Sequence, residues 1–171
     1  MTAPAGIALV RVDNRLVHGQ VLEAWLPALS AQGILVADDE VAGSALARAA
    51  MSLAIPKKVA FRIGPLAEVA AMLRPGGSGA PAPRTLILVR NVRDAVALRE
   101  QGVLLPQLNL GNVHFSKGRE QVTPTVYLDA GEIEALEQLA ATGTEIEARA
   151  VPAEPPVTLA TMAGRFRAAS R

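Results

Sequence analysis

Short runs rich in Val, Ile and Leu alternate along the chain with longer stretches rich in Ala and Leu that have a helical period. This alternation is typical of βαβ units, in which helices cover both faces of a parallel sheet. It predicts strands at 7–12, 33–37, 58–63, 85–89, 107–110, 125–128 and 144–150, and helices at 19–31, 40–54, 65–74, 91–101, 130–141 and 159–168. The sequence therefore predicts an α/β fold with a mostly parallel central sheet of about six or seven strands and helices on both faces.

The length of the chain indicates one domain spanning 1–171, because 171 residues leave little material for a second core. Half of the residues are hydrophobic but only 3% are aromatic, so we expect a core of Ala, Val, Leu and Ile. The segment 74–84 concentrates Gly and Pro, and strand patterns continue on both sides of it. We interpret this segment as a flexible surface connection within the single domain.

Charge and residue usage exclude several classes of function. The formal net charge is +1 and no long run of one sign occurs, so we expect no nucleic-acid partner. With no cysteine and two histidines in all, we expect no metal site, disulfide or dissociable cofactor. The first apolar stretch, 7–10, is too short for a secretion signal and no window is long enough to span a bilayer, so we expect a soluble chain without a targeting segment.

A polar loop after the first predicted strand carries the residues best suited to chemistry. Asp13, Arg15 and His18 follow the strand at 7–12 and precede the helix at 19–31. In open α/β sheets, ligand sites lie beyond the carboxyl ends of strands, and the following helix offers free N–H groups to an anion. The sequence therefore predicts a phosphate site in this loop.

The residue types of the loop suit transfer of a phosphoryl group. A neutral histidine ring is nucleophilic near neutral pH, which makes His18 the candidate phosphoryl acceptor. The fork of Arg15 suits phosphoryl oxygens, and the N–H groups of Gly19 and Gln20 are placed to bind the same oxygens. Asp13 would fix either the tautomer of His18 or the orientation of Arg15. From spacing alone, the same residues also fit a turn with a solvated arginine and a histidine without a partner.

Four segments of the chain resemble, in order, segments of one protein family. Residues 12–21, followed by Trp25, read VDNRLVHGQV; they resemble the active-site segment [IV]D[DN]RL[IV]HGQV of the IIB proteins of the mannose/fructose/sorbose phosphotransferase family. Residues 34–42 resemble that family's VVNDEVA segment. Residues 85–103 resemble LLVKNPxDALRLVEAGV, and residues 108–128 resemble VNVGNMxxxxGxxQISxxVYL.

The resemblance implies a phosphotransferase component of sugar transport. His18 would accept a phosphoryl group from a phosphohistidine of the IIA protein and donate it to sugar translocated by the membrane proteins IIC and IID. Arg15 would stabilise the phosphoryl oxygens, and Asp13 and Asn14 would shape the loop. Such a protein is a cytoplasmic phosphoprotein that reaches the inner face of the membrane transiently through IIC and IID.

The resemblance leaves three questions open. A regulatory phosphoprotein of the same fold would signal the phosphorylation state of the system without sugar transport. The sugar is open among mannose, fructose, sorbose and an amino sugar. The protein is a monomer or a homodimer.

Two residues depart from the family pattern, and four others are secondary features. Asn14 stands where the family often has Asp, and Asp38 stands where VVNDEVA has Asn; if Asp38 lines the pocket, its charge would repel an incoming phosphate. His114 and Arg119 are secondary candidates for contact with the phosphate or a partner, with an ordinary loop role as the alternative. Gly111 and Asn112 predict a turn with unusual backbone angles.

Apolar residues near the loop suggest a surface for the donor. We expect Leu16 and Val17 to form a small docking patch, because a shuttle needs a weak and transient interface. We expect Trp25 to pack in the core, with partner docking as the alternative.

Overall fold

Nine strands and seven α-helices follow one another along residues 6–171, the part of the chain that the computed structural model describes. The strands are β1 (Gly6–Asp13), β2 (Gly33–Ala37), β3 (Ala60–Gly64), β4 (Arg84–Val89), β5 (Gln107–Asn112), β6 (Glu120–Thr123), β7 (Val126–Leu128), β8 (Glu145–Ala148) and β9 (Val157–Thr158). The helices are a π-helical segment (Val21–Trp25), α1 (Leu26–Ala28), α2 (Asp39–Ala42), α3 (Ala45–Ala54), α4 (Leu66–Leu73), α5 (Val92–Glu100), α6 (Ala130–Ala141) and α7 (Leu159–Ala169).

Seven of the strands form one sheet in the order β3-β2-β4-β1-β5-β8-β9. Every pairing in this sheet is parallel except that of β8 with the short edge strand β9. The strands β6 and β7 form a separate antiparallel hairpin, so the predicted strand at 125–128 lies outside the main sheet. The predicted fold class, an α/β domain with a mostly parallel sheet of about seven strands, is confirmed.

The core has two layers because alternate side chains of each strand point to opposite faces of the sheet. Val10 and Val12 of β1 face the layer under α4, α5, α6 and α7. Leu9 faces the other layer, where the π-helical segment and α2 bury Val21, Trp25 and Val41. Both faces are therefore covered, as the continuous apolar runs of the central strands predict.

Two predicted helices have a different form in the structure. The predicted helix at 40–54 is divided into α2 and α3, because Ser44 accepts the N–H of Ala47 and starts a new helix. The predicted helix at 19–31 contains the π-helical segment, in which the N–H of Leu26 donates to the carbonyl of Val21. Over residues 6–171, every helix is too short or too polar to span a lipid bilayer.

The topology places a crevice at the carboxyl end of β1. The chain leaves β1 toward the layer that contains Trp25, whereas it leaves the neighbouring strand β4 toward the layer that contains α5. Adjacent strands whose connections diverge in this way open a crevice at the edge of the sheet. Asp13, the last residue of β1, lies at this point.

Candidate active site

A buried leucine anchors the loop that follows β1. The N–H of Leu16 donates to the carbonyl of Asp13 over 2.9 Å, and Leu16 has a φ of 57°, in the left-handed region that favours glycine. Its side chain is buried with Val21 and Trp25. The prediction that Leu16 forms a docking patch is therefore wrong, because its apolar surface serves the core; Val17 is half-buried.

Asp13 holds the ring of His18. The Asp13 side chain is completely buried, and its Oδ2 lies 2.7 Å from Nε2 of His18. Its Oδ1 accepts the backbone N–H of Arg15 over 3.0 Å. The ring of His18 is only 15% exposed. With Nε2 directed at the carboxylate, Nδ1 is the ring nitrogen left for attack on a substrate.

The electrostatics of Asp13 fix the tautomer of His18. Burial alone raises the pKa of Asp13, but the hydrogen bond with His18, the N–H of Arg15 and the charge of Arg11 together hold that pKa below its ordinary value. The carboxylate is therefore ionised at neutral pH and accepts a hydrogen bond from the Nε2–H group of His18. This arrangement leaves the lone pair on Nδ1.

A second arginine, which the sequence analysis missed, lies beneath the loop. Arg11 is completely buried and donates to Oδ2 of Asp13 over 3.2 Å. It also donates to the side chain of Asn109 and to the carbonyls of Arg149 and Ala150. The sequence held a signal that could have revealed Arg11, because this arginine interrupts the apolar run at 7–12. A charged residue in a buried central strand needs partners for its charge.

The other predicted residues of the loop surround His18. The Arg15 side chain is 45% exposed, with Nε 3.7 Å from Oδ1 of Asp13 and a guanidinium nitrogen 3.2 Å from Oε1 of Gln20. Asn14 donates its N–H to the carbonyl of Asn112, which ties the loop to β5. Apart from its chain neighbours and the backbone of its own helical turn, a Cβ at Gly19 would meet no atom of the described residues within 4 Å.

The loop after β5 differs from its prediction. Arg119 donates to both carboxylate oxygens of Glu132, over 2.6 and 3.1 Å, and to the carbonyl of His114 over 2.9 Å. These contacts occupy the guanidinium of Arg119 and give this residue a structural role, whereas the side chain of His114 is exposed. The predicted turn at Gly111 and Asn112 is wrong, because both residues lie within β5. A side chain at Gly111 would collide with the guanidinium of Arg11.

The charge of Asp38 is balanced. Asp38 accepts the N–H of Val41, which caps α2, and both of its oxygens accept hydrogen bonds from Arg90, over 2.8 and 3.0 Å. Burial raises the pKa of Asp38, but the Arg90 contact and the cap outweigh burial and hold the pKa below its ordinary value. The expected repulsion of phosphate is thus offset by Arg90.

Comparison with known proteins assigns the chain to a family. The family model described as the sorbose-subfamily IIB component of the PTS system matches residues 7–169. The chain belongs to this IIB family. The resemblance inferred from the four motifs is confirmed, and members of this family are phosphotransferase components of sugar transport.

Relatives of this IIB protein differ in their stated sugar. It is 34% identical over 153 residues to the N-acetylgalactosamine-specific phosphotransferase enzyme IIB component 2 of Escherichia coli, covering 90% of this chain and 96% of that one. It is equally identical to the mannose-specific EIIAB component of E. coli, of which it spans 46%. The crystal structure of the IIBSor domain of the sorbose permease from Klebsiella pneumoniae superposes with a TM-score of 0.84 at 28% identity, covering 93% of this chain and 96% of that one.

Proposed function

We propose that this IIB protein is a phosphocarrier in which Nδ1 of His18 accepts a phosphoryl group from a phosphohistidine of a IIA protein and donates it to a sugar. The observation that carries the proposal is the contact of 2.7 Å between Oδ2 of Asp13 and Nε2 of His18. A buried carboxylate at Nε2 directs the nucleophilic lone pair to Nδ1. A histidine with no such partner would divide its proton between the two ring nitrogens.

In the acceptance step, the lone pair of Nδ1 forms a bond to phosphorus while the bond from phosphorus to the donor nitrogen breaks. The Nε2 proton stays in its hydrogen bond to Asp13, which balances the positive charge that develops on the ring. In the donation step, a sugar hydroxyl oxygen forms the new bond to phosphorus while the bond from phosphorus to Nδ1 breaks; the hydroxyl proton passes to solvent, and Nδ1 regains its lone pair.

Positive groups at the mouth of the site stabilise the phosphoryl oxygens. Phosphoryl transfer depends mainly on positioning and on stabilisation of spread negative charge. Arg15 is half-exposed beside the carboxylate, so its guanidinium is free to turn toward an incoming phosphate. The N–H groups of Gly19 and Gln20 stand at the start of the helical segment, and the open space at Gly19 leaves room for the oxygens.

The proposed donor and acceptor follow from the family. The mannose-specific relative is an EIIAB component, which supports a IIA protein as the donor. The sugar acceptor is presented by the membrane proteins IIC and IID. This route places the protein in the cytoplasm, with transient contact at the inner face of the membrane.

The test is transfer of label from phosphoenolpyruvate through the general phosphotransferase proteins and a cognate IIA to the purified chain. Wild type should acquire an acid-labile, base-stable label, and His18→Ala should acquire none, since no other residue of the loop is a nitrogen nucleophile. His114→Ala is the matched control and should keep the rate within about twofold, because His114 is exposed and lacks a carboxylate partner like Asp13. Equal labelling of His18→Ala and wild type, with the donor shown to be phosphorylated, would overturn the proposal.

A further inference from the structure

We infer that Arg11 is a positioning residue of this site: from the interior of the sheet it fixes the Asp13 carboxylate that holds His18. The inference rests on the proposed function and adds a residue that touches neither His18 nor the space open to phosphate.

The Arg11 guanidinium is held by groups from two strands, from the segment after β8 and from the π-helical segment. Asp13 on its own strand, Asn109 on β5 and two carbonyls that follow β8 accept its hydrogen bonds. Its guanidinium carbon lies 4.6 Å from the centre of the Trp25 ring, a distance typical of cation–π contact. Because so many groups hold the guanidinium, Arg11 keeps a single position. Its hydrogen bond to Oδ2 of Asp13 then fixes the orientation of that carboxylate.

The partners of Arg11 are themselves held. The Asn109 amide donates to Oε1 of Glu147 over 2.8 Å, so its oxygen is turned toward Arg11. Glu147 is paired with Arg149 through two hydrogen bonds. The Trp25 indole donates to the carbonyl of Ala150 over 3.0 Å, which fixes one of the two backbone acceptors.

The backbone beside Arg11 is shaped for its guanidinium. Gly111 lies in β5 with an ordinary negative φ, so backbone freedom does not explain a glycine there. A Cβ built at Gly111 would overlap the guanidinium, and a buried, hydrogen-bonded fork has little room to withdraw. The glycine therefore provides the space that the fork of Arg11 occupies.

The charge balance explains why a buried arginine is needed. Oδ2 of Asp13 accepts from both Arg11 and His18. After transfer, the phosphoryl group brings negative charge close to this carboxylate, and without Arg11 the repulsion would favour protonation or rotation of Asp13. With Arg11 in place, Asp13 stays ionised and oriented before and after transfer, so Nε2 keeps its acceptor in both states.

The experiment displaces the guanidinium without removing its charge. Gly111→Ala pushes the fork away from Asp13. Gly164→Ala in α7 is the matched control, because a Cβ there meets no atom of the described residues within 4 Å outside its chain neighbours and its own helix backbone. Arg11→Lys is the second variant, which keeps a charge but loses the fork. Each variant is examined by circular dichroism for folding, by ¹⁵N NMR of the His18 ring for the tautomer, and by the kinetics of transfer from phospho-IIA.

In wild type and Gly164→Ala, we expect the NMR signature of a proton on Nε2 at neutral pH. In folded Gly111→Ala, we expect a mixture of tautomers and a kcat lower by about tenfold, with the KM for phospho-IIA within about twofold, because Arg11 does not touch the donor. Arg11→Lys should give the same pattern if it folds. A simple loss of stability would lower the folded fraction without changing the tautomer of the folded protein.

A folded Gly111→Ala protein with the wild-type tautomer and kcat would overturn the inference. That result would leave the proposed function intact, because wild type would still be labelled and His18→Ala would not. Labelling of His18→Ala would instead overturn the proposed function, while the tautomer measurements would still report whether Arg11 positions Asp13.

Discussion

Asp13 and Asp38 are both buried carboxylates at the carboxyl ends of strands, yet the structure uses them differently. Asp38 gives both oxygens to one arginine and caps a helix, so its charge is matched locally. Asp13 divides its oxygens among Arg11, the backbone of Arg15 and the ring of His18. In the proposed mechanism, the difference that matters is the partner: Asp13 holds the proposed nucleophile His18, whereas Asp38 holds a permanent cation.

The largest effect should come from Asp13→Asn. The amide can turn either its NH₂ group or its oxygen toward the ring, so the Nε2–H tautomer loses its stabilisation, and Arg11 loses its counter-charge. We expect phosphate acceptance to fall about 100-fold or more. Rapid-quench transfer from phospho-IIA measures the rate, and the ¹⁵N spectrum of His18 measures the tautomer. A rate near that of wild type would show that Asp13, like Asp38, is not needed for phosphate transfer.

Arg15→Ala should have the next largest effect. The side chain is half-exposed and its ion pair with Asp13 is long, at 3.7 Å, so we expect little change in the free energy of unfolding. Phosphate acceptance should fall roughly ten- to a hundredfold, because a cation that stabilises the transition state is lost. Urea unfolding measures the free energy of unfolding, and transfer kinetics measure the rate of phosphate acceptance. An unchanged transfer rate would remove Arg15 from the proposed mechanism.

Asp38→Asn should change stability and leave transfer within about twofold of wild type. The amide still caps α2 but loses the charge paired with Arg90, which we expect to cost about 1 kcal/mol in the free energy of unfolding at pH 7. A slowing of transfer as large as that of Asp13→Asn would show that both aspartates belong to the site.

The pH dependence of Asp38→Asn has a definite sign. Because Arg90 and the cap lower the pKa of Asp38 in the folded state, its ionisation stabilises the fold above the ordinary value of 3.8, and this contribution is lost as the pH falls below 3.8 toward the lowered pKa. The difference in stability between wild type and Asp38→Asn should therefore shrink on acidification. Urea titrations at pH 7 and at pH 3 measure the difference, and a gap that widens at pH 3 would contradict the cause assigned here.

Most of the fold was predictable because the longer strands and helices each have a local sequence pattern. The runs at 33–37 and 130–141 agree with β2 and α6 residue for residue, since continuous apolar residues and a good cap depend only on neighbours in sequence. The strands β6 and β9 were missed because four and two residues are too few to show a period. The π-helical turn was missed because its hydrogen bonds, not its composition, distinguish it.

The sequence by itself determined the class of fold, the family and the loop in which His18 follows Asp13, because these depend on residues close together in the chain. Only the tertiary structure decided what surrounds that loop. It brings Arg11 to carbonyls 138 and 139 residues away, pairs Asp38 with Arg90 and engages Arg119 with Glu132. The order of strands in the sheet makes these contacts, and no local period encodes that order; burial then requires each charge so placed to find a partner.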